Sequence, residues 1–352
     1  MKTKNSFLEL LRIVFCLIIF MHHSGFLAED GMNYPFKSAG FFAVEFFFIL
    51  TGALTCKHIE KKVHNSSSVG VDDGIMKSSL CYTMTKLKKI FPYALLGIVL
   101  SYVFYFVSAD YTKSVKDIVF GSWNIIYEAL FLPMTGIMNA DLNVYLNSPL
   151  WYLSAMLITL PVIMYLKERF NDVFDNYLCI FLPLIMHGYL INKYGTVGSF
   201  GTFGVLTYTG VIRGFSDILL GFLAYRIAKV IDGKMKKDNI ILTFTEVLSY
   251  IFVIYTFNTN VDAYTYEFAI LLLMLSLGIS FSGKTYTSKI SANFLNHLGK
   301  LSVPIYCIHW PVYKFVSFYF DGVTYWLGVL VTLLVCVLIS ECMMFIVKKR
   351  NS

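Results

Sequence analysis

Apolar runs of about twenty residues, each closed by polar or charged residues, recur along the whole of this chain. That is the length a helix needs to cross ~30 Å of hydrocarbon, and it is how bilayer-spanning helices read. Soluble domains are about 45–50% apolar and ~25% charged. Here 57% of residues are hydrophobic and 14% charged, which excludes the soluble globular class. The pattern predicts an all-α polytopic integral membrane protein.

Ten spans are expected, over roughly 7–27, 36–56, 90–109, 150–167, 177–191, 212–230, 239–257, 266–283, 297–317 and 324–347. The first has Lys2 and Lys4 ahead of it like a signal peptide, but Glu9 and Arg12 interrupt it and no small-residue cleavage pattern follows Ser24. It is read as a retained span. The rest of residues 1–352 forms one transmembrane domain with a flexible cytoplasmic loop at about 57–89 and an external loop at about 110–149. Within the external loop, 118–133 carries Glu128, breaks at Pro133, and reads as interfacial or re-entrant.

An even count places both termini on one side, and the cations say which. Of 29 Lys and Arg, only Lys37, Lys113, Lys116, Lys193, Arg213 and Lys314 fall on the opposite face or at its span ends. By the positive-inside rule both termini are cytoplasmic. The +7 net charge therefore reports topology and gives no support for nucleic-acid binding. The Asn65-Ser66-Ser67 sequon lies in HNSSSVGVDDGIMKSS (64–79), on the side where glycosylation does not occur. The seven cysteines form no CxxC pair, and all but Cys81 fall in or at the end of apolar runs. They are expected to be packing residues, with no disulfide framework and no metal.

Ionisable residues inside spans are costly and are functional candidates by default. RIVFCLIIFMHH (12–23) sets a permanent cation and an imidazole on one helix, Arg12 and His23 being about 16 Å apart by helix rise. On charge alone, a snorkelling Arg12 and a satisfied His23 explain the run equally well. Glu45, ~14 Å down the second span, and Tyr306 and His309 in the ninth fall at similar depths to His23. A histidine near a carboxylate or a second imidazole suits general-base work, and a transporter's proton relay needs the same residues. Arg213 can bind an anionic acceptor or anchor a span at the interface. Trp151 and Tyr152 stand where aromatic belts occur. Lys86, Lys88 and Lys89 can hold phosphates or only set topology.

Five blocks taken together resemble the membrane-bound acyltransferase-3 family of O-acyltransferases. They are Arg12, ten intervening residues and His23, with Glu9 three residues ahead; AVEFFFILTGAL (43–54); KLKKIFPY (86–93); SPLWYLSAML (148–157); and LGKLSVPIYCIHWPVY (298–313). Glu45 and Thr51 stand where the family more often has aspartate and serine. Lys88 and Lys89 stand where arginine is often seen.

The resemblance implies transfer of an acyl group, typically acetyl, from cytoplasmic acetyl-CoA as co-substrate to a sugar hydroxyl at the outer face. Arg12 with Lys88 and Lys89 would meet the CoA phosphates, and His23 would take the acceptor's proton, an acyl-histidine being the variant. Glu45 or His309 would orient His23 or relay its proton, and Tyr306 or Trp151 would shape the acyl or sugar site. Expected partners are membrane lipid, acyl-CoA and a glycan of the cell envelope: capsule, exopolysaccharide, lipopolysaccharide or peptidoglycan. The expected location is the inner (cytoplasmic) membrane, crossed many times. Succinyl in place of acetyl stays open. From other classes, a transporter or flippase for a lipid-linked glycan would use the same buried groups for coupling, and a scaffold would need them only structurally.

Overall fold

The computed structural model describes residues 5–65, 72–108, 115–137, 146–320 and 322–351. Regular structure there is helical, apart from one antiparallel bridge between Phe203 and Tyr208. In chain order the α-helices are α1 (Ser6–His22), α2 (Ala43–Asn65), α3 (Asp72–Val107), α4 (Val115–Ala129), α5 (Trp151–Arg169), the single turn α6 (Asn171–Val173), α7 (Cys179–Tyr194), α8 (Thr209–Lys234), α9 (Ile240–Asn258), α10 (Ala263–Ser282), α11 (Asn293–Tyr319) and α12 (Tyr325–Asn351). Polar side chains start several of them. Asn5 accepts from the Phe7 and Leu8 amides, Asn239 from Leu242, and Asp262 from Tyr264 and Thr265.

Among the described residues, eight helices are long and apolar enough to cross a bilayer: those of α1, α2, α3, α5, α7, α9, α10 and α12. The expectation was ten. α8 and α11 are as long, at 26 and 27 residues, but carry Arg213, Asp217 and Arg226, or Lys300, His309 and Lys314. Each packs among other helices, α8 against α2, α5, α7 and α10, and α11 against α1, α3 and α12. A helix walled by protein can keep polar residues that a lipid-facing one cannot.

Two expected boundaries move. The second helix starts at Ala43, seven residues later than the pattern suggested, because the chain turns through Phe36 (φ 61°) and a 3-10 turn at Gly40–Phe42. Much of the loop expected at 57–89 is helical: 57–65 extend α2, and 72–89 open α3. Thirty-six residues make α3 about 54 Å long, well over the ~30 Å hydrocarbon core, so its charged first turns project beyond the apolar part. Ser66–Ser67 of the sequon, and 109–114 and 138–145 of the external loop, lie outside the described residues.

Burial separates centre from rim. In α2 and α5, 78% and 72% of the apolar window is buried, against 22% in α12, so α2 and α5 form the interior and α12 faces lipid. α2 and α8 meet where two glycines face each other. A Cβ on Gly221 would stand 2.1 Å from the Ile49 carbonyl oxygen and 2.7 Å from the Gly52 Cα. Small residues at such a crossing let helix backbones approach in a membrane bundle.

Candidate active site

Glu9 and Arg12 lie one turn apart on α1 and pair at 2.9 Å. At the other end of α1, the Ser24 hydroxyl donates to the Met21 carbonyl at 2.6 Å and shares a 2.6 Å bond with Tyr325. There the α-helix gives way to a 3-10 turn, His23–Leu27, with His23 as its first residue.

His23 Nδ1 lies 2.9 Å from His309 Nε2, and His309 Nδ1 lies 2.7 Å from the Tyr306 carbonyl oxygen. A carbonyl only accepts, so Nδ1 of a neutral His309 carries the proton and its Nε2 accepts. His23 must then donate through Nδ1, which leaves its Nε2 with a free lone pair. This tautomer follows from the hydrogen-bond chain alone. Trp310 meets the His23 ring edge to face, at 5.1 Å between centroids. Neighbouring His22 instead sets its Nδ1 3.0 Å from the Phe36 carbonyl.

Two cavities meet at this chain. The larger, about 770 Å³, has Arg12, Lys86, Lys89 and Lys300 at one end and Phe47, Tyr152 and Tyr306 at the other. The smaller, about 190 Å³, is lined by His22, His23, Phe41, Pro149, Trp151, Phe200 and Arg213, among others. Val44 and Tyr306 line both, so they form the wall between them. The smaller space is below the ~300 Å³ of an ordinary ligand pocket and suits one end of a larger molecule.

The sequence-predicted residues divide between these places. His23, His309 and Tyr306, expected only at similar depths, come together. Glu45 does not join them: in the first turn of α2, it pairs with Arg213. The late start of α2 also places it near the helix end, not ~14 Å down a span. Arg213 is not an interface anchor. It is 1% exposed, donates to Glu45 and to the Gly198 and Phe41 carbonyls, and lies 5.2 Å from the Trp151 ring centroid. Three of its five N–H donors are therefore engaged by the protein, and it also lines the smaller cavity. Trp151 stacks on Phe200 at 4.9 Å and walls the smaller cavity.

Lys89 lines the larger cavity, whereas Lys88 is exposed and does not. Lys86 takes that place, because residues three apart share a helix face. A further buried group escaped notice. His187 Nδ1 lies 2.7 Å from Glu267 and Nε2 3.3 Å from Asp217, joining α7, α10 and α8. The signal was present, since all three are charged or titratable residues inside or at the ends of apolar runs.

The bundle thus sets a cation-mouthed cavity and a second, smaller one side by side, next to a histidine whose Nε2 is open, an arrangement that can serve group transfer within the membrane. Comparison with protein families gives the group: an acyltransferase-domain profile matches residues 5–341, nearly the full length. The chain belongs to the acyltransferase-3 family and is a multi-pass membrane acyltransferase. No curated protein and no solved structure matches it.

Proposed function

We propose that this protein transfers an acetyl group from cytoplasmic acetyl-CoA to a hydroxyl of an extracytoplasmic or lipid-linked glycan. In this reading it sits in the inner membrane with ten spans, α8 and α11 included, and both termini in the cytoplasm. The observation that carries it is the pair of cavities meeting at Val44 and Tyr306 beside His23.

Arg12, Lys86, Lys89 and Lys300 hold the CoA phosphates at the cytoplasmic mouth. The pantetheine arm covers the rise of about 16 Å between Arg12 and His23 and brings the thioester to the wall. The glycan enters the smaller cavity, where the stacked Trp151 and Phe200 offer an apolar face to a sugar ring. His23 Nε2 takes the hydroxyl proton as the oxygen attacks the thioester carbon. The tetrahedral intermediate collapses by breaking the C–S bond, and the His23 imidazolium returns the proton to the CoA sulfur. Acceptor and CoA exchange one acetyl group for one proton, so no other reactant is needed.

The test is transfer of radiolabelled acetyl from acetyl-CoA to crude lipid-linked glycan by protein in lipid, wild type beside His23→Ala. Label in glycan with wild type alone is the expected result. Full activity of a correctly inserted His23→Ala variant would sink the mechanism.

A further inference from the structure

The wall between the cavities depends on Tyr306, and what holds Tyr306 lies outside α11. Its hydroxyl donates to the Pro149 carbonyl, in the 3-10 turn Ser148–Leu150 that leads into α5. That turn is tied in two ways. The Asn147 side-chain amide donates to the Cys307 carbonyl at 2.8 Å, across the space left by Gly97. A Cβ on Gly97 would stand 2.7 Å from the Asn147 nitrogen and 2.0 Å from that carbonyl oxygen. The second tie comes from α4. Glu128 is 2% exposed, and its carboxylate accepts from the Leu146 amide at 2.5 Å and the Asn147 amide at 3.0 Å.

The segment after Glu128 is built to stay in place. Phe131 has φ 54°, a left-handed conformation uncommon for a non-glycine residue, which persists where its surroundings determine it. Ser154 of α5 does so: its hydroxyl donates to the Phe131 carbonyl at 2.6 Å and accepts from the Met134 amide at 3.0 Å. Glu128 is thus a buried carboxylate on a fixed support, bound to the two backbone amides just ahead of the turn that receives Tyr306.

We propose that Glu128 is a positioning residue that seats the 146–150 turn and, through the Pro149 carbonyl, holds Tyr306 as the wall that keeps water from the thioester until acceptor is bound. This rests on the acyl-transfer reading for its consequence, but the seating itself does not. When the seat loosens, water in the smaller cavity reaches the thioester carbon. Its oxygen bonds to that carbon, the C–S bond breaks, and free acetate and CoA thiol leave in place of acylated glycan. Excluding water from a reactive intermediate is a general task of a closed active site.

The experiment compares wild type, Glu128→Gln, Tyr306→Phe and the double variant in lipid, measuring CoA thiol released and label transferred to glycan in the same reaction. Hydrogen exchange at residues 146–150 is followed in parallel. In Glu128→Gln, both exchange there and the ratio of CoA released to label transferred rise by roughly tenfold, the scale of one lost charge-assisted hydrogen bond. KM for acetyl-CoA is unchanged, because the cationic mouth is untouched. Tyr306→Phe raises the same ratio, and the double variant does no worse than the stronger single one, as for residues acting in one chain. Unchanged exchange in Glu128→Gln overturns the proposal. So does a loss of transfer and hydrolysis in equal proportion, or an additive double variant. A wild type that never turns over acetyl-CoA would refute acetyl-CoA as the donor instead, and the exchange result would still decide the seating.

Discussion

Replacing His309 separates orientation of the base from the base itself. In the structure the Tyr306 carbonyl fixes His309, and His309 Nε2 accepts from His23 Nδ1 at 2.9 Å. On the proposed mechanism His23 becomes a cation when it takes the acceptor's proton, and that bond becomes charge-assisted. Hydrogen bonds to charged groups contribute about 1.5–3 kcal/mol, or roughly 10–160-fold in rate at about 1.36 kcal/mol per tenfold. Losing the base itself costs about 10²–10⁴-fold. His309→Leu, which removes the ring nitrogen that accepts from His23 Nδ1, should therefore lower kcat by roughly 10–160-fold with little change in KM for acetyl-CoA. His309→Gln can place an amide oxygen where Nε2 stood and should recover most of the loss. The assay is steady-state acetyl transfer in lipid with His23→Ala as the floor. If His309→Leu keeps the wild-type kcat, or if Gln is as poor as Leu in protein that remains folded, the orienting role is wrong.

Three further outcomes test other parts of the structure. Gly221→Ala should force α2 and α8 apart, at the 1–3 kcal/mol typical of overpacking, since its Cβ would lie 2.1 Å from the Ile49 carbonyl oxygen. Thermal unfolding in detergent reads this as a lower Tm, and an unchanged Tm would contradict the close crossing. His187→Leu should be costlier, about 3–5 kcal/mol, because it strands the Asp217 and Glu267 carboxylates it now faces. Folded yield and Tm equal to wild type would show that those groups are not relying on it. Lys86→Gln with Lys89→Gln should raise KM for acetyl-CoA by roughly 2–30-fold, from about 0.2–1 kcal/mol per partly exposed charge contact. The increase should shrink at high salt, and kcat should hold. A fall in kcat at constant KM would place the two lysines elsewhere in the reaction.

What the sequence disclosed followed from fixed helical geometry. Arg12 and His23 are eleven positions apart on one apolar run, so their separation could be worked out before any neighbour was known. The Glu9–Arg12 pair followed from one-turn spacing. Partners across helices were not legible. His309 could be placed at the depth of His23, but only packing of α1 on α11 brings their rings together. The depth of Glu45 was not legible either, because it depends on where α2 begins, and a turn at Phe36 and Gly40 sets that start. Helical phase separates Lys86 from Lys88, since 86 and 89 share a face and 88 is turned about 100° from 89. α8, expected as a span over 212–230, buries Arg213 and Asp217 among its neighbours.

The partner of the His23 ring is another imidazole and not a carboxylate. A carboxylate beside His23 would add a charge to a site surrounded by Phe20, Trp310 and Tyr306, where burying an unpaired ion costs several kcal/mol. A neutral His309 adds none. It passes the hydrogen-bond demand of His23 to a backbone carbonyl already present in α11. The carboxylate that the second helix does carry, Glu45, is placed against the Arg213 guanidinium, where the two charges offset each other. That pair links the start of α2 to α8 at the edge of the smaller cavity, and Arg213 lines it together with Trp151 and His23. Glu45 on this reasoning shapes the acceptor's side of the site without entering the proton transfer. Glu45→Gln should therefore raise KM for the glycan and lower Tm while leaving the pH dependence of kcat where wild type has it. A shifted pH profile with an unchanged glycan KM would put Glu45 in the proton path and overturn the assignment.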